Sequence, residues 1–287
     1  MAAPHLSVSK LFDTLEGKIC LVTVSTGGGS GLGEIMASAL VQAGAKVYIA
    51  SRKEKALKAV AERLTAGGPG SCEYIVADLG SKDGCDALVA EFKRRENKLH
   101  VLVNNSGTTW GAKLTEFPEK QGWDRVLATN VKAIYYMTAG LADYLEKDAT
   151  NIDPGRIVNI TSIAGLDPGA DNSVLAEPGT GLWSYNSSKA AANHLTKSLA
   201  ITLGSRKISV NAVAPGIYQT NMTARGFAKE SDKIKEIHPM GRSGLPEDIA
   251  GLLMFLVSRA GAHISGVVIN TDGGSLIGGK RTSLARL

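Results

Sequence analysis

Ile19-Cys-Leu-Val-Thr-Val-Ser-Thr-Gly-Gly-Gly-Ser-Gly-Leu-Gly33 is the stretch whose reading decides the architecture of this 287-residue chain. Residues 19–24 form a short β-branched run that predicts a buried strand. Five of the next nine residues, 25–33, are glycine, and the apolar spacing from Glu34 to Ala43 predicts a helix. Strand, glycine-rich turn and helix in this order make a cradle for phosphate. Glycine lets the backbone approach a pyrophosphate, and the helix N-terminus favours its charge. The pattern is G-x-x-x-G-x-G rather than G-x-G-x-x-G, because position 34 is Glu. A flexible glycine turn is the competing reading.

Working outward, short apolar runs alternate with helical patterns along the whole chain. Strands are expected at 19–24, 46–50, 73–77, 99–103, 156–160, 208–213 and 266–270. Helices are expected at about 31–43, 53–65, 82–95, 119–147, 183–204 and 246–258. Such alternation predicts βαβ units and a parallel sheet. No linker, charge block or internal repeat divides the chain, so the expectation is one doubly wound α/β domain over 1–287. Residues 1–14 form an N-terminal arm and 276–287 an exposed tail. Right-handed crossovers place all strand carboxyl ends on one rim.

Two motifs fall on that rim. Leu99-His-Val-Leu-Val-Asn-Asn-Ser-Gly107 ends a hydrophobic strand in two amides and a glycine, at the end of a parallel strand where ligands bind. Leu182-Trp-Ser-Tyr-Asn-Ser-Ser-Lys-Ala-Ala-Ala192 opens a long helix and puts Tyr185 four residues before Lys189. Positions four apart share a helix face, and a nearby ammonium favours phenolate over phenol. A solvated Lys beside a half-buried Tyr is the bland alternative for this spacing alone.

Composition narrows the function. The net charge of +5 is spread through helices, and aromatics make up 5% of residues. Nucleic-acid binding calls for a basic patch with stacking aromatics, so no nucleic-acid partner is expected. Cys20, Cys72 and Cys85 lack metal-ligand spacing and suit a reduced compartment. His5, His100, His194, His238 and His263 are dispersed, so no metal site is expected. No apolar run approaches the ~20 residues that span a bilayer. Asn-x-Ser/Thr triplets at Asn159, Asn186 and Asn221 read as chance matches.

The ordered set of Gly27/Gly31/Gly33, Asn104-Asn-Ser-Gly107, Ser162 in Asn159-Ile-Thr-Ser-Ile-Ala-Gly165, Tyr185-x-x-x-Lys189 and Pro215-Gly216 resembles the short-chain dehydrogenase/reductase family. The resemblance runs from about Leu15 to Gly274, and Thr108-Thr-Trp-Gly111 is similar to the branch of rhamnolipid-type 3-oxoacyl reductases. It implies a Rossmann-like sheet and hydride transfer between a nicotinamide and a carbonyl or alcohol. In that reading Tyr185 is the general acid, and Lys189 lowers the tyrosine pKa and holds the nicotinamide ribose. Ser162 holds the substrate oxygen, and Asn130 anchors a water that relays protons to the lysine. A turn cap is the alternative role for Ser162.

The same resemblance assigns the cofactor contacts. They come from Gly27, Ser30, Gly31, Leu32 and Gly33 in the first turn, and from Asn105, Ser106 and Gly107 after the fourth strand. Ser51 and Arg52 follow the second strand; Asp78 and Leu79 contact adenine, Asp78 also being a candidate N-cap for 82–95. Tyr185, Lys189, Pro215, Gly216, Ile217 and Thr220 complete the set, the last two fixing the carboxamide. An NAD enzyme places a carboxylate after the second strand, whereas Ser51-Arg52-Lys53 supplies a hydroxyl and two cations. Arg52 can bind a 2′-phosphate in bidentate fashion, so NADP(H) is the expected cofactor.

Three departures from the family pattern stand out. The first strand runs about three residues longer than is usual in the family before Gly27, which predicts either a bulge at 24–26 or a shifted register. Ser106 replaces the usual Ala. Roughly ten extra residues in 166–182, rich in Gly, Pro and Asn, predict an irregular loop bordering the substrate pocket. The leading functional reading is reduction of a 3-oxoacyl thioester or similar β-keto compound. A polyol or secondary-alcohol dehydrogenase is the runner-up, and a non-catalytic NADPH-binding regulator is the reading from another class. The expected self-association is a homotetramer through 119–147 and 183–204, with a dimer as runner-up. The expected location is cytoplasmic, or peroxisomal through Ala285-Arg286-Leu287 in a eukaryote.

Overall fold

The computed structural model describes residues 7–12, 15–24, 31–171, 176–177, 179–220, 223 and 238–278. Gly27, Ser30, the 24–26 bulge reading beyond Val24, Asn221 and Ala285-Arg286-Leu287 lie outside the described residues. Seven strands form one parallel sheet: β1 (Ile19–Thr23), β2 (Lys46–Ser51), β3 (Ser71–Val76), β4 (Val101–Asn104), β5 (Gly155–Ile160), β6 (Ile208–Pro215) and β7 (Val268–Thr271). Their spatial order is β3-β2-β1-β4-β5-β6-β7. The chain reverses direction across the sheet between β3 and β4, so the crevice outside the carboxyl ends of β1 and β4 is the switch point where ligands bind.

Alternation along each strand builds two cores. Cys20, Val22, Val47, Ile49, Val101 and Val103 point to one face. There they meet α1 (Leu32–Gln42), α2 (Glu54–Ala66) and α6 (Pro246–Val257). Leu21, Tyr48, Leu102, Ile157 and Val210 point to the other, packing on α3 (Lys82–Arg95), α4 (Ala133–Glu146) and α5 (Trp183–Gly204). Strands buried on both faces explain why the sequence shows apolar runs rather than polar alternation.

The helix expected at 119–147 is continuous but not uniform: Glu119–Asp124 and Ala128–Lys132 are π-helical, and α4 follows. At Gly122 a side chain would drive into the Phe117 ring, its Cβ falling 2.5 Å from the ring edge. The second π stretch carries Asn130 inward, where it is 1% exposed.

The lengthened first strand does not shift register. β1 stops at Thr23, paired with Ala50, and Val24 N–H still donates to the Ala50 carbonyl at 2.9 Å. The helix 82–95 is capped by Ser81, whose hydroxyl accepts from Gly84 N–H at 3.1 Å. Asp78 instead accepts from Gly80 N–H at 3.0 Å, closing an Asx turn, so the N-cap reading of Asp78 is replaced by Ser81. The triplet asparagine Asn159 is fully buried in β5.

Among the described residues no helix is long and apolar enough to cross a membrane, and no group of His, Cys, Asp and Glu is arranged for a metal. All three cysteines are free and buried, and burial pushes the Cys20 and Cys72 thiols up to about 12 and that of Cys85 to about 11. They are correspondingly poor nucleophiles.

Candidate active site

The carboxyl ends of β1 to β6 open into a cavity of about 1140 Å³. The turn after β4 is bound to the end of β1 through Thr23. Its hydroxyl accepts from Asn105 N–H and Ser106 N–H, both at 2.9 Å, and its carbonyl accepts from Asn105 Nδ2 at 2.9 Å. Gly33, one residue into α1, fits under that turn. A Cβ there would lie 2.4 Å from Asn105 Nδ2 and 2.9 Å from Val24 Cγ1, so glycine sets how closely helix and strand approach. Gly31 caps the same helix, with open space around the position a Cβ would take.

At one end of the cavity lie Ser51, Arg52, Lys53 and Asp78. The Arg52 guanidinium stands 3.8 Å from the Asp78 carboxylate, both side chains half exposed. Such a loose surface pair contributes little and leaves the end of β2 rich in cations. Leu79 is buried in the core and also borders the cavity.

At the other end, Ser162, Tyr185 and Lys189 converge. Ser162 follows β5 and caps the single 3₁₀ turn Ile163–Gly165, accepting from Ala164 N–H at 3.1 Å. Gly165 lets that turn lie on α5, since a Cβ would be 2.5 Å from the Lys189 carbonyl carbon. Ser162 thus fills the turn-cap role, and its hydroxyl also hydrogen-bonds with the Tyr185 side chain. Lys189 is 5% exposed, donates to the Ile160 carbonyl at 2.9 Å and lies 5.6 Å from the Tyr185 ring centroid.

The electrostatics differ from the expectation. Burial holds the Tyr185 phenol above its ordinary value, with the Ser162 hydrogen bond acting in the opposite direction. Spacing places Lys189 near the ring, but desolvation of the buried phenol is the largest influence on it. The same burial draws Lys189 down to about 8.

Asn130 joins this end through its amide, which accepts from Thr108 N–H and donates to the Thr108 carbonyl and to Ser188 Oγ, each at 2.9 Å. Gly107 lies beside it, and a Cβ there would be 3.5 Å from both Asn130 Oδ1 and Lys189 Nζ. Pro215, Gly216 and Thr220 border the cavity. Ile217 does not, its carbonyl accepting from Gly244 N–H at 2.9 Å, and Tyr218 lines the wall instead. The described residues of the 166–182 loop likewise do not line it. They dock on the segment after β4 through the Ala112–Gly181 bridge and on α5 through Asn186, whose amide donates to the Gly169 carbonyl at 3.2 Å.

Several participants escaped sequence reading. Thr23 and Ser188 carry hydroxyls in ordinary strand and helix positions, with no local signal of their tertiary partners. Asn104, Asn159 and Thr196 form a buried chain of 2.9 Å hydrogen bonds that ties β4, β5 and α5 together beneath the site. Two amides at facing positions of neighbouring strands were its visible signal.

A family model described as enoyl-(acyl carrier protein) reductase matches residues 27–275. The rhamnolipids biosynthesis 3-oxoacyl-(acyl-carrier-protein) reductase of Pseudomonas aeruginosa is 37% identical over 91% of this chain and 97% of its own. The 2-dehydro-3-deoxy-D-gluconate 5-dehydrogenase of Dickeya dadantii is 34% identical over 91% and 96%. Among solved structures, the Pseudomonas aeruginosa RhlG/NADP active-site complex superposes with a TM-score of 0.82 at 37% identity, covering 93% of this chain and 99% of that one. Fold, ordered motifs and these similarities agree, and the chain belongs to the short-chain dehydrogenase/reductase family of oxidoreductases.

Proposed function

We propose that this protein uses NADPH to reduce the keto group of a 3-oxoacyl thioester or a similar β-keto compound. One observation carries the reading: a single cavity holds Ser162, Tyr185 and Lys189 at one end and the cations after β2 at the other. The residues fit a 2′-phosphorylated dinucleotide. Gly31 leaves the start of α1 open to a pyrophosphate, and no carboxylate follows β2 before the helix to repel a 2′-phosphate. Arg52 holds that phosphate, Asp78 and Leu79 flank the adenine, and Thr220 faces the carboxamide. When bound, NADPH supplies the hydride.

The chain's own residues orient the ketone and manage the proton. The Ser162 hydroxyl holds the substrate oxygen. Tyr185, kept protonated by burial, gives its phenolic proton to that oxygen as it becomes an alkoxide. Lys189, fixed by the Ile160 carbonyl, holds the nicotinamide ribose and stands beside the phenol to restore its proton. The thioester class rests on similarity to the reductase of Pseudomonas aeruginosa. The sugar-acid dehydrogenase of Dickeya dadantii supports a second reading, oxidation of a polyol or other secondary alcohol.

Cofactor oxidation with the purified protein, against 3-oxoacyl thioesters, simple ketones and keto sugar acids, tests both. The expected result is turnover of the thioesters with NADPH preferred over NADH. Arg52→Ala should weaken NADPH affinity by about ten- to a hundredfold, the worth of a charge-assisted hydrogen bond. Turnover confined to sugar acids selects the second reading, and equal use of both cofactors rejects the NADPH assignment.

A further inference from the structure

Ser188, between Tyr185 and Lys189, is fully buried. Its hydroxyl donates to the Tyr185 carbonyl at 2.7 Å and accepts from Asn130 Nδ2 at 2.9 Å. The second Nδ2 hydrogen goes to the Thr108 carbonyl, and Asn130 Oδ1 receives Thr108 N–H, both at 2.9 Å. Every hydrogen of this hydroxyl and this amide is therefore engaged. The chain of bonds runs from the turn after β4, through the π-helical stretch Ala128–Lys132, to the first turn of α5. π-Helical turns are rare and recur at functional sites, and this one presents the Asn130 amide to two other elements at once. A serine bonded to the carbonyl three residues back also adjusts the local path of a helix, here between the two residues of the proton-handling pair. Asn130 Oδ1 and Lys189 Nζ border the same hollow beside Gly107, so a displacement at Ser188 reaches both.

We infer that Ser188 is a positioning residue: its hydroxyl locks the Asn130 amide to the Tyr185 backbone and so fixes the Tyr185 phenol and Lys189 ammonium against the 105–108 turn. Its kinetic consequence rests on the oxidoreductase reading above, but its structural consequence does not. Ser188→Ala strands one Asn130 hydrogen in a buried site, and buried networks lose more than one bond's worth when broken.

The test combines kinetics with native-state hydrogen exchange on the whole protein. In Ser188→Ala, kcat for ketone reduction should fall ~10- to 100-fold while NADPH affinity stays within ~3-fold, the split expected when an interaction matters in the transition state. Thr108 N–H, on a different element, should exchange at least ~10-fold faster because Asn130 is released. Ser188→Thr, which restores the hydroxyl, should recover both readouts. Pairing Ser188→Ala with Asn130→Ala should slow turnover no more than the worse single change, as for residues acting as one unit. Should Ser188→Ala not fold, Ser188→Cys, close in size and a poor acceptor, takes its place with the same expectations. A kcat within ~2-fold of wild type, unchanged Thr108 exchange, or losses that multiply in the double variant would each overturn the inference. A wild-type protein that reduces no ketone would instead reject the ketone-reductase reading, and the exchange measurement would still decide the role of Ser188.

Discussion

Burial acts on Tyr185 and Lys189 in opposite senses, because it penalises whichever form carries charge. It raises the phenol and brings the ammonium down to about 8, so near neutral pH the tyrosine keeps its proton and the lysine keeps most of its charge while titrating far below its ordinary range. Both conditions suit an acid with a rechargeable neighbour. The buried lysine also has a consequence for stability. Its folded pKa lies below the ordinary 10.5, so between pH 8 and 10.5 the unfolded chain binds a proton that the folded one does not, and stability rises with pH in that window. Lys189→Met keeps much of the side-chain volume and removes the titration. We expect turnover to fall at least ~100-fold in this variant and in Tyr185→Phe, measured as ketone-dependent NADPH oxidation. We also expect the melting temperature of Lys189→Met, relative to wild type, to decline as pH rises from 8 to 10.5. A constant offset across that range would mean Lys189 is not held below its ordinary value.

At the level of elements, β1, β4 and β5 are joined below the site by His100. Its N–H donates to the Ile19 carbonyl, its carbonyl accepts from Arg156 N–H, and its Nδ1 accepts from Ile19 N–H, all at 2.9 Å. An accepting Nδ1 must be unprotonated. Burial first, then Lys18 and Lys98, hold the ring down at about 4. Between pH 6.5 and 4 the unfolded chain binds the proton and the folded chain does not, so stability is lost as pH falls through that window. His100→Asn offers a side-chain oxygen to the same N–H without titrating. Its denaturant midpoint should therefore change less between pH 6.5 and 4 than that of wild type, and parallel curves would contradict this account. The seven strands and the six principal helices were legible in the sequence because β-branched runs, caps and the 3.6-residue period are local signals. The π-helical stretch at 128–132 was not, since its register depends on bonds to Thr108 and Ser188 from distant segments. The cap at Ser81 was missed because Asp78, three residues earlier, is an equally good cap by composition. The sense of the Tyr185 shift was missed because spacing reports proximity but not exposure.

On the scale of the whole molecule, the exposed large apolar side chains of the described surface include two sets that bear on assembly. Tyr135 on α4 and Ile201 on α5 are 50% and 85% exposed, and Met240, Leu245 and Ile277 are exposed beyond the ends of α6 and β7. Exposed apolar groups mark contact surfaces where they are contiguous. The small residues expected to allow close helix approach are divided between two roles. Ala192 is buried within the subunit and Ala200 is partly buried against its core, while Ala190 and Ala191 are exposed. The exposed positions 187, 190, 191, 194, 197, 198 and 201 follow one side of α5, a stripe at helical spacing that ends on Ile201. One self-complementary face gives a dimer, and two distinct ones give a closed tetramer with dihedral symmetry. We therefore expect a particle four times the 30.0 kDa chain mass by light scattering at micromolar concentration. Ile201→Glu should place a charge in the α5 contact and leave the other face intact, giving a particle twice the chain mass. A wild-type monomer would remove the argument altogether, and an unchanged tetramer in Ile201→Glu would move the contact away from α5.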